Sequence, residues 1–150
     1  VEHSGRGLIC SVMADGRRPA DLGVSEQTAL AAIANLTDAL GARDYVTASR
    51  LLGGTSSTSD LATGYANFDG TSLLFTRFTT TDVGTEVDFL SFALENGRAQ
   101  THIYRIRWRV LADGTVRYLS AGPNYEAVLG DWSNVELISS NPAIIVDNCG

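Results

Sequence analysis

Residues 85–120 read TEVDFLSFALENGRAQTHIYRIRWRVLADGTVRYLS, and this stretch decides the fold of the chain. Glu95-Asn96-Gly97-Arg98 is typical of a two-residue β-hairpin turn, because Asn96 and Gly97 tolerate the positive φ angles that such turns need. Pairing outward from the turn places apolar pairs on one face of the hairpin and opposite charges on the other, as expected of a correct register. The predicted cross-strand pairs are Ala93 and Gln100, Ser91 and His102, Phe89 and Tyr104, Val87 and Ile106, Asp88 and Arg105, and Glu86 and Arg107.

A second hairpin follows at Ala112-Asp113-Gly114. A three-residue loop with Gly114 as a bulge residue keeps the two faces coherent, whereas a two-residue Asp-Gly loop would mix them. The predicted pairs are Val110 and Val116, Trp108 and Tyr118, and Arg109 and Arg117. One more strand precedes these two hairpins, and a loop over residues 81–84 would set Phe78 opposite Val87 and Arg77 opposite Asp88.

These registers give the sheet one apolar face and one face that is half basic and half apolar. Such a sheet is usually covered on both sides. The apolar face carries Phe78, Val87, Phe89, Tyr104, Ile106, Trp108, Val110, Val116 and Tyr118. The other face carries Arg77, Arg105, Arg107, Arg109 and Arg117 with Glu86 and Asp88, and it turns apolar toward one end at Leu73, Phe75, Leu90, Phe92, Leu94 and Ile103.

The composition fits one globular domain of 150 residues. The net charge of −6 argues against general affinity for nucleic acid or anionic membrane surfaces. No apolar run approaches the roughly 20 residues of a membrane span, so we expect no membrane insertion. No metal or cofactor motif occurs, and we expect neither.

We expect an N-terminal arm at residues 1–24 with a short strand at 7–14, a core at 25–122, and a tail at 123–150 that packs on the core. In the core, Ser25 is a plausible N-cap for an amphipathic helix that ends at Gly41. A second helix is expected over 44–52 with its end at Gly53-Gly54, followed by a loop at 55–60. The tail contains two strand candidates at 135–138 and 143–146.

Cys10 and Cys149 lie near opposite ends of the chain. A disulfide between them would close a very long loop, which is favourable in the chain-entropy description, and it would indicate export to an oxidising compartment. Two free buried thiols are the alternative. Neither cysteine belongs to a Cys-x-x-Cys pair, and no histidines accompany them as zinc ligands.

Two helices followed by a strongly curved sheet resemble the NTF2-like (SnoaL-like, cystatin-like α+β cone) superfamily. Residues 36–52, which include Ala39-Leu40-Gly41-Ala42-Arg43-Asp44-Tyr45, are similar to its helix–turn–helix opening. Residues 105–120 with Asp113-Gly114 are similar to its closing strands. The resemblance covers residues 25–122 and implies an α+β cone, with two helices on a curved antiparallel sheet.

The resemblance also implies a conical pocket between the first helix and the apolar sheet face, which holds a small hydrophobic molecule in the enzymes of the superfamily. Those enzymes use a buried Asp or Glu, or an Asp-Arg-Asp set, but Glu86 and Asp88 point away from this face in the predicted register. The catalytic candidates that remain are His102, as a general base, with Tyr104 and Tyr118 orienting the substrate. The alternative for His102 is a core or rim residue satisfied by a hydroxyl or carbonyl group.

The basic face is the second candidate site. Its functional interpretation is docking of an acidic partner or an anion. Its structural interpretation is a closed ladder of charges completed by Glu126, Asp131 or Glu136. Association of NTF2-like proteins through this outer face favours a homo-oligomer or a protein partner here. The binding candidates are Arg105, Arg107, Arg109, Arg117 and Phe92 on this face, together with Trp108 on the apolar face.

Three functions follow as hypotheses. The first is a small exported binding or assembly protein that acts through its outer sheet face. The second is an enzyme, an isomerase, cyclase or hydrolase of a small hydrophobic molecule. The third is a structural subunit of a filament or shell. A deep pocket beside His102 would favour the second, whereas a filled cone with an apolar interface around Phe92 would favour the first.

Overall fold

The structure is a computed structural model that describes residues 7–95, 102–118 and 135–139. Within these ranges three α-helices pack on a curved, unclosed sheet, so the α+β class predicted from the sequence is confirmed. The elements are β1 (Leu8–Met13), a 3-10 helix (Pro19–Asp21), α1 (Val24–Gly41), α2 (Tyr45–Leu51), α3 (Thr58–Gly64), β2 (Phe68–Thr81), β3 (Gly84–Glu95), β4 (His102–Val110), β5 (Val116–Tyr118) and β6 (Val135–Ser139).

The strands lie in the order β1-β2-β3-β4-β5, and β6 also pairs with β4. One edge of β4 pairs with β3, while its other edge is shared by β6 at residues 103–106 and β5 at 108–110. The sequence predicted an antiparallel sheet, but β1 is parallel to β2, so the sheet is mixed. The long connection through three helices explains this pairing, because parallel neighbours need a crossover of a dozen or more residues.

Helix α1 supplies the largest apolar surface opposite the sheet. Leu30, Ile33, Leu36 and Leu40 are each at most 3% exposed. Their spacing of three or four residues places them on one stripe of the helix. Burial of each such side chain is worth about 1.5–3 kcal/mol relative to exposure, so this stripe fixes α1 on the sheet. We call the side of the sheet that α1 covers its inner face, and the opposite side its outer face.

The helix boundaries agree with the sequence prediction except at the start of α1. Its N-cap is Gly23, whose backbone N–H donates to the Glu26 carboxylate at 3.2 Å, and not the predicted Ser25. Asp44 caps α2 by accepting from the Thr47 N–H at 3.2 Å. Gly53 and Gly54, with φ of 67° and 76°, end that helix as predicted.

Helix α3 was not predicted; the sequence favoured a loop over residues 55–60. Ser57 begins the helix by accepting a hydrogen bond from the Asp60 N–H at 3.0 Å. The helix has only seven residues, and Leu61 is its one buried residue. So short an element carries too few apolar positions to produce a helical period in the sequence.

The predicted register between β3 and β4 is wrong by two residues. Phe89 lies opposite Ile106, and Asp88 lies opposite Arg107. The predicted faces survive, because a shift of two residues returns every side chain to the same side. Arginine recurs at every second position of β4, so pairing of opposite charges is equally good in both registers. The predicted turn lies outside the described residues from Asn96 onward.

The strand pair β2–β3 confirms Phe78 opposite Val87 and Arg77 opposite Asp88. A bulge at Thr76 then reverses the faces in the first half of β2. Leu73 and Phe75 were predicted on the outer face, but they belong to the inner core at 1% and 2% exposure. The Phe75 ring lies 5.6 Å from that of Phe89, as expected on the inner side.

The hairpin β4–β5 has the predicted register throughout. Trp108 pairs with Tyr118, and Val110 with Val116. Gly114 has φ of 84°, as required of the bulge residue. The predicted strands near residues 7–14 and 135–138 are also present as β1 and β6, whereas the candidate at 143–146 lies outside the described residues.

Candidate functional site

A cavity of about 230 Å³ opens between α1 and the inner face, at the end where β3 finishes and β4 begins. Thr37 and Leu40 form its helical wall. Apolar and aromatic side chains dominate the floor, with Ser91 and Glu95 as polar exceptions. The other strand residues that line it are Phe89, Ala93, Tyr104, Ile106 and Trp108.

The remaining wall is the continuous segment 63–68, which runs from the end of α3 to the first residue of β2. Arg43 holds this segment from outside: its guanidinium donates to the Ala66 carbonyl at 3.2 Å and to the Asp69 carboxylate at 2.8 Å. Arg43 adopts φ of 61°, a left-handed conformation uncommon for a residue with a side chain. Tyr65 ties the wall to β5 through a 2.8 Å hydrogen bond with the Tyr118 hydroxyl.

A carboxylate and an imidazole meet at the strand ends beside the pocket. The Glu95 carboxylate is hydrogen-bonded to Nδ1 of His102, and Tyr104 stacks on the imidazole at 5.8 Å. Glu95 and Tyr104 line the pocket, whereas His102 does not line it but contacts both of them. His102, predicted as the base, is therefore separated from the pocket by these two residues, and Glu95 is the carboxylate at the pocket wall.

Burial controls the pKa values of the tyrosines around the pocket. Burial, and secondarily the negative charge of Glu95, raise the pKa of Tyr104. The pKa of Tyr118 is strongly raised by burial first and then by the Tyr65 phenol beside it. Burial also raises the pKa of Tyr65. Of the two tyrosines predicted to orient a substrate, Tyr104 lines the pocket, whereas Tyr118 contacts it only through Tyr65.

The two central arginines of the basic face have partners on β3. Arg107 donates to both oxygens of Asp88, at 3.0 Å from its Nη2, and the two side chains are 9% and 6% exposed. Arg109 donates to Glu86 at 2.7 Å, with side chains 17% and 14% exposed. These ion pairs agree with the pairing of arginines inside the sheet, whereas Glu126 and Asp131, which were expected to complete a closed ladder, lie outside the described residues.

The other three arginines differ from one another. Arg105 lies opposite Glu136 of β6, which is one of the predicted acidic neighbours. Arg117 reaches the end of α2, where it donates to the Leu52 carbonyl at 3.1 Å. Arg77 is exposed and forms no ion pair within the part of the chain that is described.

A row of buried residues crosses the outer face beyond the ion pairs. Cys10, Ser72, Phe92 and Ile103 are adjacent in the strand registers and between 0% and 7% exposed. Phe92, predicted as a binding residue, is thus inaccessible within the single chain at 7% exposure. Cys149, the predicted partner of Cys10, lies outside the described residues.

Sequence reasoning missed Glu95 and the wall at 63–68. Glu95 shares the inner face with Phe89, Ser91 and Ala93 by simple alternation, and this signal was hidden because Glu95 was placed in a turn. The wall has no such signal, because it depends on α3. Trp108, by contrast, was expected on the inner face and lines the pocket there at 2% exposure.

Among the described residues, no three His, Cys, Asp or Glu side chains converge as metal ligands. No helix within the described ranges has the length and apolarity to cross a membrane. Comparisons of the chain with protein-family models, with curated proteins and with solved structures each found no match. Membership of the NTF2-like superfamily therefore rests on the sequence pattern and the α+β architecture alone, and we retain it as a proposal.

Proposed function

We propose that the chain binds a small, largely apolar molecule in the pocket between α1 and the inner face. The observation that supports this is the cavity of about 230 Å³, walled by Leu40, Phe89, Ile106 and Trp108. A well-packed core leaves few voids larger than a water molecule. A dry apolar cavity of about 150 Å³ binds benzene, so this volume suits a molecule somewhat larger than one ring.

The proposal is tested by blocking the pocket from its exposed wall. Naphthalene derivatives are titrated into the protein by calorimetry, with 2-methylnaphthalene as the reference probe. Ala66→Trp places a large side chain on an exposed residue that lines the cavity, and we expect it to abolish binding. Ala62→Trp is the matched control, because Ala62 is exposed on α3 but does not line the cavity. Absence of binding to the wild type, or equal binding by both variants, would refute the proposal.

Acid–base catalysis is the second candidate, and the bond between Glu95 and His102 favours it. A carboxylate at the wall of an apolar pocket, oriented by an imidazole, can remove a proton from a carbon next to a carbonyl group. A bicyclic ketone, 2-tetralone, would report this activity by deuterium exchange in D2O. We expect Glu95→Gln to abolish accelerated exchange. If deuterium exchange is unaffected by Glu95→Gln, acid–base catalysis by Glu95 is refuted and the proposal of binding alone remains.

Assembly through the outer face is a separate proposal, either as a homo-oligomer or protein complex or as a subunit of a filament or shell. The exposed Arg77 supports it, whereas the pairing of Arg107 and Arg109 within the sheet leaves less free charge for an acidic partner. The native mass tests it, with Arg109→Glu and Arg77→Glu as variants. A monomeric wild type, or an oligomer unaffected by both variants, would count against this face.

We also propose an oxidising, extracytoplasmic location, with Cys10 bonded to Cys149. Cys10 is 3% exposed in β1. Closing a loop of this length is worth about 4–5 kcal/mol in the chain-entropy description. Alkylation in denaturant tests the bond: without reductant neither cysteine should react, and with reductant both should. Two modified cysteines before reduction would contradict both the bond and the location.

A further inference from the structure

The hydroxyl group of Ser91, a buried residue that lines the pocket, directs its proton toward Thr71. Ser91 Oγ lies 2.6 Å from Thr71 Oγ1, which in turn lies 3.0 Å from the carbonyl oxygen of Ser72. A carbonyl oxygen only accepts, so Thr71 must donate to it. Both contacts can then be hydrogen bonds only if Ser91 donates to Thr71. Ser91, 5% exposed, is left with its lone pairs as its free hydrogen-bonding capacity.

The opposite wall repeats this arrangement. Thr37 Oγ1 lies 3.0 Å from the carbonyl oxygens of both Ile33 and Ala34, one turn earlier in α1. Its proton is therefore used within the helix, and only lone pairs remain for another partner. Thr37 is 4% exposed and lines the cavity opposite the sheet. Both buried hydroxyls of the pocket are thus acceptors.

Among the remaining polar groups of the lining, the one fully buried donor is covered, and the other donors belong to half-buried or exposed residues. The carboxylate of Glu95 is an acceptor of the same kind. Nε1 of Trp108 is a donor, but it is covered by surrounding atoms and makes no hydrogen bond within the described chain. The hydroxyls of Tyr65 and Tyr104 can donate from half-buried residues, and that of Thr63 and the amide of Asn67 from exposed ones. The interior is therefore apolar with acceptors, and its complement is an apolar molecule with a donor.

We propose that the ligand of this pocket is an apolar alcohol or phenol whose hydroxyl group donates to Ser91 Oγ. This proposal rests on the proposed binding function and specifies its ligand class. A neutral hydroxyl fits better than a protonated amine, because transfer of a charge into an apolar cavity costs far more than transfer of a hydroxyl that finds an acceptor. A ligand with only an acceptor would place two sets of lone pairs against each other.

Three probes of similar size separate these properties: 2-naphthol donates and accepts, 2-methoxynaphthalene only accepts, and 2-methylnaphthalene does neither. Calorimetric titration at neutral pH should show 2-naphthol binding about 5- to 10-fold more tightly than 2-methoxynaphthalene, as expected of one hydrogen bond. Equal binding of all three would overturn the donor proposal and leave the pocket as a binding site. No binding of any probe would overturn both.

Two substitutions test whether the preference for 2-naphthol depends on the inferred positions of the Ser91 and Thr71 protons. Ser91→Ala removes the acceptor, so this variant should prefer 2-naphthol over 2-methoxynaphthalene by less than about twofold. Ser25→Ala, which changes an exposed residue of α1, should keep the wild-type preference. Thr71→Val removes the group to which Ser91 donates, so the Ser91 proton becomes free to bind the ether of 2-methoxynaphthalene. This variant should bind 2-methoxynaphthalene more tightly than the wild type does. A preference retained in Ser91→Ala would refute the assignment, provided that circular dichroism shows a folded variant.

Discussion

Arg107 and Asp88 are bonded twice across β3 and β4, and the two side chains are only 9% and 6% exposed. Removing one partner of such a pair leaves the other as a buried, uncompensated charge. We expect Arg107→Met to destabilise the protein by about 3–5 kcal/mol, measured by urea unfolding. The double variant Arg107→Met/Asp88→Leu should recover most of this loss.

Arg77 provides the control for that experiment, since it lies opposite the same Asp88 from β2 but is exposed. Arg77→Met should change the free energy of unfolding by less than about 0.5 kcal/mol. Similar losses in Arg77→Met and Arg107→Met would mean that the buried bond has no special role. The outer face would then be stabilised by general charge balance.

Alanine substitutions at Gly53 and Gly54 distinguish the cost of backbone strain from the cost of a contact with Arg117. Both have positive φ, so alanine is strained at either position. At Gly53, however, an added Cβ would lie 2.5 Å from the Arg117 guanidinium, whereas nothing lies within 4 Å at Gly54. Displacing Arg117 would break its bonds to the Leu52 carbonyl and Thr115.

We therefore expect Gly53→Ala to destabilise the protein by about 1 kcal/mol more than Gly54→Ala, the value of a typical net hydrogen bond. Chemical denaturation measures the difference. In an Arg117→Met background the two substitutions should cost the same, because only the strain remains. A difference that persists there would show that the contact between Gly53 and Arg117 is not its source.

The sequence predicts a strand register correctly where one local feature is compatible with a single register. Gly114 fixes the β4–β5 register because a three-residue loop alone keeps the faces coherent. The β3–β4 register failed because arginine at positions 105, 107 and 109 makes neighbouring registers equivalent in charge. The bulge at Thr76 also left no local signal, and it moved Leu73 and Phe75 to the other face. In both cases the local sequence is compatible with two strand registers, and the packing of the folded protein selects one of them.

The candidate site was predictable to the same degree. The alternation of β3 and β4 correctly placed Tyr104 and Trp108 on the inner face, and with them the pocket floor. It could not provide the wall at 63–68, whose position depends on Arg43 and on the bond between Tyr65 and Tyr118. Nor could it provide the direction of the Ser91 proton, which depends on the Thr76 bulge that brings Thr71 to the same face.

The phenols of Tyr65 and Tyr118 should make the protein less stable at alkaline pH. The pKa of each phenol is raised above its ordinary value of 10.0, chiefly by burial, so the folded state keeps protons that the unfolded state releases. The stabilisation is fully present below pH 10 and is lost as the pH rises further, by up to about 1.4 kcal/mol per pH unit for each phenol. Urea unfolding at several pH values measures this slope.

The variant Tyr65→Phe/Tyr118→Phe should show a flatter alkaline slope than the wild type. At neutral pH it should be only about 1 kcal/mol less stable, because it loses the single bond between the two hydroxyls. Identical slopes in the two proteins would mean that other groups cause the alkaline loss. Absorbance of the phenolate gives an independent readout, since these two tyrosines should titrate after the more exposed ones.

Arg43 should control the pocket wall more than it controls global stability. In Arg43→Gly the bonds to Ala66 and Asp69 are lost, but the left-handed backbone at φ of 61° becomes unstrained. These effects oppose each other, so the free energy of unfolding should change by less than about 1 kcal/mol. Residues 63–68, however, lose their external support in this variant. We expect faster amide hydrogen exchange in that segment and weaker binding of 2-naphthol, with exchange in α1 unchanged.

Arg43→Ala separates the two contributions, because it loses the same bonds and keeps the strain. It should loosen the wall as Arg43→Gly does, and it should also be about 1 kcal/mol less stable than that variant. Asp69→Asn removes the ion pair but retains the bond from Arg43 to the Ala66 carbonyl, so its effect on exchange should be smaller. If exchange in residues 63–68 is unchanged in all three variants, the wall is held by Tyr65 and its own packing, and Arg43 is not the residue that fixes the pocket.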